Sequence, residues 1–223
     1  DPKHYEDRCW THVVAPFEIP LAWPRYMSFD YGYSHPFSVG WWAMDPAGCL
    51  YRYKEWYGCE KGRANIGLKL TPQQIAEGII QREADEIRDN VKVIRIADPS
   101  IFDRSRGESV AQMMEPNSQG KPGVYFEPGD NTRLAGKMQV HERMRFDENG
   151  RPRMQVFSTC TEFIRTIPTL PYSMTKVEDV DTDAEDHIYD EMKYCFMEHP
   201  LPTAPKPKSK AKKYDPYTEH RRH

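Results

Sequence analysis

The sequence predicts an α/β domain with a mixed central β-sheet flanked by helices on both faces. Three observations carry that reading. Two short apolar runs, 25–30 (RYMSFD) and 91–97 (VKVIRIA), each stop at an acid, Asp30 and Asp98. Between them lie an aromatic hairpin and an amphipathic helix with a capped start. Strands that alternate with helical stripes are the pattern of layered α/β chains.

Residues 1–24 contain PFEIPLAWP, whose three prolines argue against a helix or a central strand. This stretch is expected to be an extended entry linker that packs Phe17, Ile19 and Trp23 on the domain edge. Residues 25–30 form the first strand and 38–44 (SVGWWAM) the second. Asp45-Pro46-Ala47-Gly48 suits a type I turn, and 49–57 (CLYRYKEWY) alternates aromatic and polar residues as the returning strand of a hairpin. Thr71-Pro72 opens a helix, because Thr caps well and Pro is favoured at the first helical position. Ile75, Ile79 and Ile80, with Ala76 and Ala84, carry its apolar stripe to about Ile87. The strand over 91–97 follows. A short helix is expected over 109–114, a short strand over 124–126, and a helix over 131–144 with Leu134, Met138 and His141 on one face. A strand over 150–157 follows the DENGRP turn, and a helix is expected over 159–167. The last helix covers 186–197, with Ile188, Tyr189, Met192, Cys195 and Phe196 facing the core.

The chain is charged, with 38% apolar and 29% charged residues, and its 223 residues fit one ordinary domain with some trimmings or two very small ones. No apolar run reaches membrane-spanning length, so no membrane association is expected. The N-terminal DPKHYEDRCW has no signal-peptide core. It also lacks a starting Met, so the chain is expected to be part of something longer. Five cysteines (Cys9, Cys49, Cys59, Cys160 and Cys195) with no CxxC spacing point to reduced thiols rather than a disulfide framework or a zinc knuckle. The net charge of -3 hides an asymmetry. Residues 178–191 hold eight acids and no base, whereas 200–223 hold five lysines and two arginines against two acids. That last segment, rich in Pro, Lys and Ser, is expected to be a disordered basic tail, either a solvated terminus or a docking strand.

The chemistry concentrates where acids follow apolar runs. Ligand sites in open α/β sheets form beyond the carboxyl ends of parallel strands, where Asp30 and Asp98 stand. Gly32 allows close approach near Asp30, and Pro99 holds Asp98 extended. A third acid is expected from the last helix. Asp183 and Asp186 precede or begin it, and Asp190 shares a face with Asp186 one turn on. Converging carboxylates are tolerable when divalent cations sit between them, and oxygen-only ligands select Mg²⁺ or Mn²⁺ over zinc. Two such ions can activate a water and stabilise the leaving oxygen of a phosphodiester. A single acid at a strand end is ordinarily a turn residue or a helix cap, and Asp45 and Asp103 are read that way. Glu55 is either a surface acid or an auxiliary ligand. His187 is read as a surface group or a neighbour of the ligands, since adjacent helical residues do not face each other. There is no phosphate-binding loop (Gly120-Lys121 lacks the required earlier glycine), and no GxSxG or HExxH occurs. Arg104 and Arg106 follow Asp98. Arg143, Arg145, Arg151 and Arg153 surround the DENG turn as a candidate DNA-contact hairpin, with ordinary surface charge as the alternative.

Three segments are similar to one family. PFEIPLAWPRYMSFDYGYSHPFSVGWWAMDPAG resembles the start of the nuclease domain of the large terminase subunit of tailed phages. IRIADPSIF resembles its second acidic strand, and AEDHIYDEMKYCFM its final acidic helix. They occur in the family's order over about 14–198 and are specific jointly, though weak singly. The resemblance implies an RNase H-like fold: a mixed central sheet flanked by helices, over residues 25–199. It further implies a metal-dependent endonuclease that cuts concatemeric viral DNA at the start and end of genome packaging. By motif position Asp30 is the ligand shared by both ions, Asp98 the second, Asp186 the third and Asp190 an auxiliary. Mg²⁺ or Mn²⁺, two ions, are the implied cofactors. Double-stranded DNA, the portal and the small terminase subunit are the implied partners, with the host cell cytoplasm as location and an isolated domain expected to be monomeric. The family's N-terminal packaging ATPase carries a phosphate-binding loop that this sequence lacks, so the resemblance implies an isolated nuclease domain, with 1–24 as the remnant of an interdomain linker and 200–223 as the tail. The extra glutamate of the wider RNase H pattern has Glu77 and Glu83 as candidates by location. Two rivals stay open. One is another RNase H-like nuclease, such as a transposase or junction resolvase. The other is a non-catalytic docking module.

Overall fold

The structure, a computed structural model, describes residues 9–170 and 185–201. Residues 202–223 of the expected tail, and the acidic run before Glu185, lie outside the described residues. The strands are β1 (Val13–Val14), β2 (Arg25–Asp30), β3 (Ser38–Met44), β4 (Leu50–Tyr57), β5 (Val93–Ala97), β6 (Glu127–Pro128) and β7 (Met154–Phe157). They form one seven-stranded sheet in the order β1-β7-β4-β3-β2-β5-β6. β3 runs antiparallel to its neighbours β2 and β4, and every other pairing is parallel. The sheet is mixed, as expected. At the β3–β4 turn the Asp45 carboxylate accepts the amides of Ala47 and Cys49, both at 2.9 Å. Gly48 supplies the positive φ of 82° that closes the turn.

The helices are α1 (Pro72–Arg82), α2 (Ala84–Arg88), α3 (Val110–Met114), α4 (Arg133–Met144), α5 (Thr161–Thr166) and α6 (His187–Glu198). α1 starts with a reciprocal cap. Thr71 Oγ1 accepts the Gln74 amide at 3.3 Å, and Gln74 Oε1 accepts the Thr71 amide at 2.9 Å. Side chains alternate along a strand, so each face of the sheet receives its own core. Met27, Phe29, Val39 and Trp41 pack with Ile75, Ala76 and Ile79 of α1 and with Ala111 and Met114 of α3. Tyr26 and Trp42 pack on the other face with Ile188, Met192 and Phe196 of α6. Burial on both faces explains why 25–29 reads as unbroken rather than alternating. Asp30 has the parity of Tyr26 and Ser28, which directs it to the α6 face.

Several elements differ from expectation. Val13–Val14 adds an edge strand to β7 within the supposed linker, while Phe17, Ile19 and Trp23 do pack against the core. The helix expected to run to about Ile87 breaks at Glu83. That carboxylate turns inward, taking the Trp41 indole N–H at 3.0 Å and the Arg95 guanidinium. The short strand expected over 124–126 is displaced to β6. In α4, Leu134, Met138 and His141 do share one face, which is the outer one, and Gly136, Gln139, Val140 and Arg143 are buried. Gly136 lies against the Lys193 stem, so this helix docks on α6 through its smallest residue. Among the described residues no helix is long and apolar enough to cross a membrane.

Candidate active site

Asp30 is the last residue of β2. Phe29 pairs with Ala97 across the parallel β2–β5 ladder, and the Asp98 amide donates to the Phe29 carbonyl at 3.0 Å. The two acids are therefore level with each other at the carboxyl ends of adjacent strands. Asp98 is fixed from two sides. One oxygen accepts the Ser100 amide at 2.6 Å, capping the 3₁₀ turn Pro99–Phe102, and the other accepts the Tyr194 hydroxyl at 2.7 Å. Asp30 Oδ2 lies 3.3 Å from His187 Nδ1, and His187 Nε2 lies 3.0 Å from Asn65 Oδ1. Asn65 sits at a positive φ of 59° in the loop after β4. That loop is stitched to 31–35 by the Gly67 amide, which donates to the Ser34 carbonyl at 2.8 Å. A side chain at Gly67 would collide with the carbonyls of Tyr33 and His35, so only glycine permits the stitch.

One face of α6 supplies the remaining groups. His187, Asp190 and Tyr194 stand three and four residues apart and share that face. His187 reaches Asp30 and Tyr194 reaches Asp98, with Asp190 between them in sequence along the helix. Asp190 pairs with Lys193. Asp186 is buried at the helix cap, where its carbonyl accepts the Asp190 amide at 2.9 Å. Asp98, Asp186, Asp190, Asn131, Arg133 and Lys193 line a common cavity of about 160 Å³, to which α4 contributes its first turn.

The electrostatics show a shortage of positive charge. Burial pushes the Asp30 carboxyl up to about 7, against the bond and charge of His187, and the charges of Asp190 and Asp98 add to the rise. Burial, then Asp190, pushes Asp186 up to about 6. Burial alone would lower His187, but the hydrogen bond and charge of Asp30, with Asp186 and Asp190, raise it above its ordinary value. Asp30, Asp98 and Asp190 are each held by a donor from α6. As placed, no three His, Cys, Asp or Glu side chains among the described residues stand close enough to hold an ion. The donor chemistry nevertheless fits a hard divalent cation, since the carboxylates are oxygen ligands whose charges oppose one another.

Other expected groups fall elsewhere. Asp183 lies outside the described residues. Glu55 caps α5, accepting the amides of Glu162 and Phe163 at 2.8 and 3.1 Å. Glu83 belongs to the opposite face of the sheet, where α1 also carries Glu77. Arg143 is a correction: it is buried, with its guanidinium donating to the His199 carbonyl and lying over the Phe196 ring, so it offers no contact to DNA. Arg153 donates to the Ala47 carbonyl at 3.2 Å, which places the arginine turn beside the β3–β4 turn. That is the end of the sheet opposite Asp30. Arg145 pairs there with Glu142, and Arg151 lies in the same turn. Of the six arginines, Arg104 and Arg106 stand at the acid end, exposed in the loop after Asp98. Reading the sequence missed Asn65, Tyr194 and Lys193 and left His187 aside. The signal for His187 and Tyr194 was their spacing with Asp190 on a helix already read as carrying acids, whereas nothing in the sequence marked Asn65 or Lys193.

No family model matches the sequence, and no curated protein matches it. Solved structures do. The large terminase of a thermophilic bacteriophage superposes with a TM-score of 0.60 at 20% identity, over 83% of this chain and 41% of that one. A structure of the same protein with ADP gives 0.61 at 20% identity, over 88% and 43%. The P22 large terminase nuclease domain gives 0.59 at 16% identity, over 86% of this chain and 88% of that one. The chain thus spans about two fifths of the length of the phage large terminase, and nearly all of an isolated nuclease domain. Its fold is RNase H-like, that of the terminase nuclease domains.

Proposed function

We propose that this chain is a terminase nuclease unit that hydrolyses DNA phosphodiesters with divalent cations. The observation that carries the reading is the level placement of Asp30 and Asp98 at adjacent strand ends, faced by Asp190 from α6. Asp30, Asp98 and Asp190, with Asp186 beside them, would hold Mg²⁺ or Mn²⁺. When bound, such ions activate a water and stabilise the departing 3′ oxygen. The chain's own residues do the positioning. Tyr194 and the Ser100 amide fix the two oxygens of Asp98, and His187 orients Asp30. Arg133 and Lys193, on the cavity wall, supply positive charge to a backbone phosphate, which gives affinity without sequence preference. In the packaging role the substrate is concatemeric double-stranded DNA inside the infected host cell. The portal and the small terminase subunit are then the partners.

The test is incubation with supercoiled plasmid in Mn²⁺, Mg²⁺ or EDTA, beside Asp98→Ala. Nicking and linearisation that require metal and vanish in the variant are expected. Cleavage that persists in Asp98→Ala would remove Asp98 from the site.

A further inference from the structure

Directly behind Asp190 in sequence is a fully buried carboxylate, Glu191, on the helix face that meets the sheet. It accepts the Ser28 hydroxyl, the Ser38 hydroxyl at 3.1 Å, the Trp42 indole N–H at 3.3 Å and Arg52 Nη1 at 2.6 Å. These donors come from β2, β3 and β4. Ser28 lies two residues before Asp30 on the same strand face, and Ser38 is the residue paired with Asp30. Arg52 is fully buried between the rings of Trp42 and Phe163, with its Cζ 5.1 Å from each centroid. The strand leaves room for this pair. A Cβ at Gly40 would collide with both the Arg52 guanidinium and the Glu191 carboxylate.

A buried ion pair is weak evidence for stability, because apolar residues of like volume often serve as well. Its directionality is different: four donors on three strands admit one seat for the carboxylate. We propose that Glu191 is a positioning residue that fixes α6 over β2 and β3 and so brings Asp190, His187 and Tyr194 to Asp30 and Asp98. This rests on the reading of the acids as a cation site. The seat sets where the helix stops sliding along the sheet. An apolar side chain at the same place would fill the volume and leave that register to packing alone.

The test uses the wild type, Glu191→Gln, the mild Ser38→Ala, and the double variant Arg52→Met/Glu191→Leu, which replaces the pair with apolar volume. Thermal unfolding, amide hydrogen exchange along 187–198 and calorimetric Mn²⁺ binding are measured on each. In Glu191→Gln, Mn²⁺ affinity is expected to fall about tenfold or more, the usual consequence of losing a residue that holds a ligand in place. Amide protection in the first two turns of α6 falls with it, while Ser38→Ala shows a smaller change in the same sense. In the double variant the melting temperature recovers but both deficits persist. Wild-type Mn²⁺ affinity and wild-type α6 protection in the double variant would overturn the proposal, since the pair would then be packing alone. If the wild type binds no Mn²⁺, the cation reading fails. Hydrogen exchange still decides the seat in that case: selective loss of α6 protection upholds it, and unchanged protection overturns it.

Discussion

Asp30 shows how one residue acquires its chemistry from position. A carboxyl at a strand end is ordinary until burial, Asp98 and Asp190 push its pKa up to about 7. The unfolded chain releases that proton near the ordinary value of 3.8. Between those values the native state binds more protons than the unfolded one, as it also does at Asp186, raised to about 6. The stability this contributes is fully present below the unfolded value and is lost as pH rises through the folded one. Thermal unfolding in EDTA should therefore show a melting temperature that declines between about pH 4 and about pH 8. Asp30→Asn should flatten that decline. A decline of unchanged slope in the variant would assign it to other groups. Both acids were legible in the sequence because apolar runs led straight into them. Tyr194 was not, since a tyrosine one turn beyond an acid carries no distinct signal until the helix is rotated onto the sheet. His187 was read as a surface group or a neighbour of the acids, and it is the latter, facing Asp30 across a sequence gap no local rule spans.

At the scale of elements, legibility followed burial on two sides. β2, β3 and β5 stand where the apolar runs placed them, because strands covered on both faces, as β2 and β3 are, carry few polar side chains. β1 has two residues and lies among prolines, so neither periodicity nor composition marked it. Which face of α4 meets the core was not legible, for a specific reason. Its contact with α6 is made through Gly136, and a helix that docks closely by a small residue hides its core face from any apolar count. Gly40 is the strand counterpart, and nothing within SVGWWAM marked it as the floor of a buried ion pair. Gly40→Ala should destabilise by about 3 kcal/mol, the scale of breaking a buried pair. Urea unfolding checks this, and a change below about 0.5 kcal/mol would mean the pair yields to a methyl group without cost.

Over the whole molecule, the two ends of the sheet divide the charges. The acids, Arg104, Arg133 and Lys193 occupy one end, and Arg145, Arg151 and Arg153 the other. β2 spans six residues between them, or roughly 20 Å at the rise of an extended strand. Replacing Arg104 by Ala should weaken DNA binding and reduce the slope of log affinity against log salt by about one. Replacing Arg145, Arg151 and Arg153 together should leave plasmid cleavage by the isolated chain within about twofold. Fluorescence anisotropy across a salt series and the plasmid assay separate the two ends. A larger effect from the distant three would mean that DNA tracks along the sheet rather than across the acid end.

The arrival of α6 from far along the chain also has a meaning in time. Asp30 and Asp98 belong to the sheet's early strands, but the helix that faces them begins at His187. A ribosome must finish nearly the whole domain before Ser28, Ser38 and Arg52 receive their shared carboxylate. Contacts between such distant segments form late, because loop closure must precede any gain from them. A nascent or truncated chain would carry two of the acids with no opposing helix. Synthesis itself would withhold the facing helix from the two strand-end acids until α6 is made.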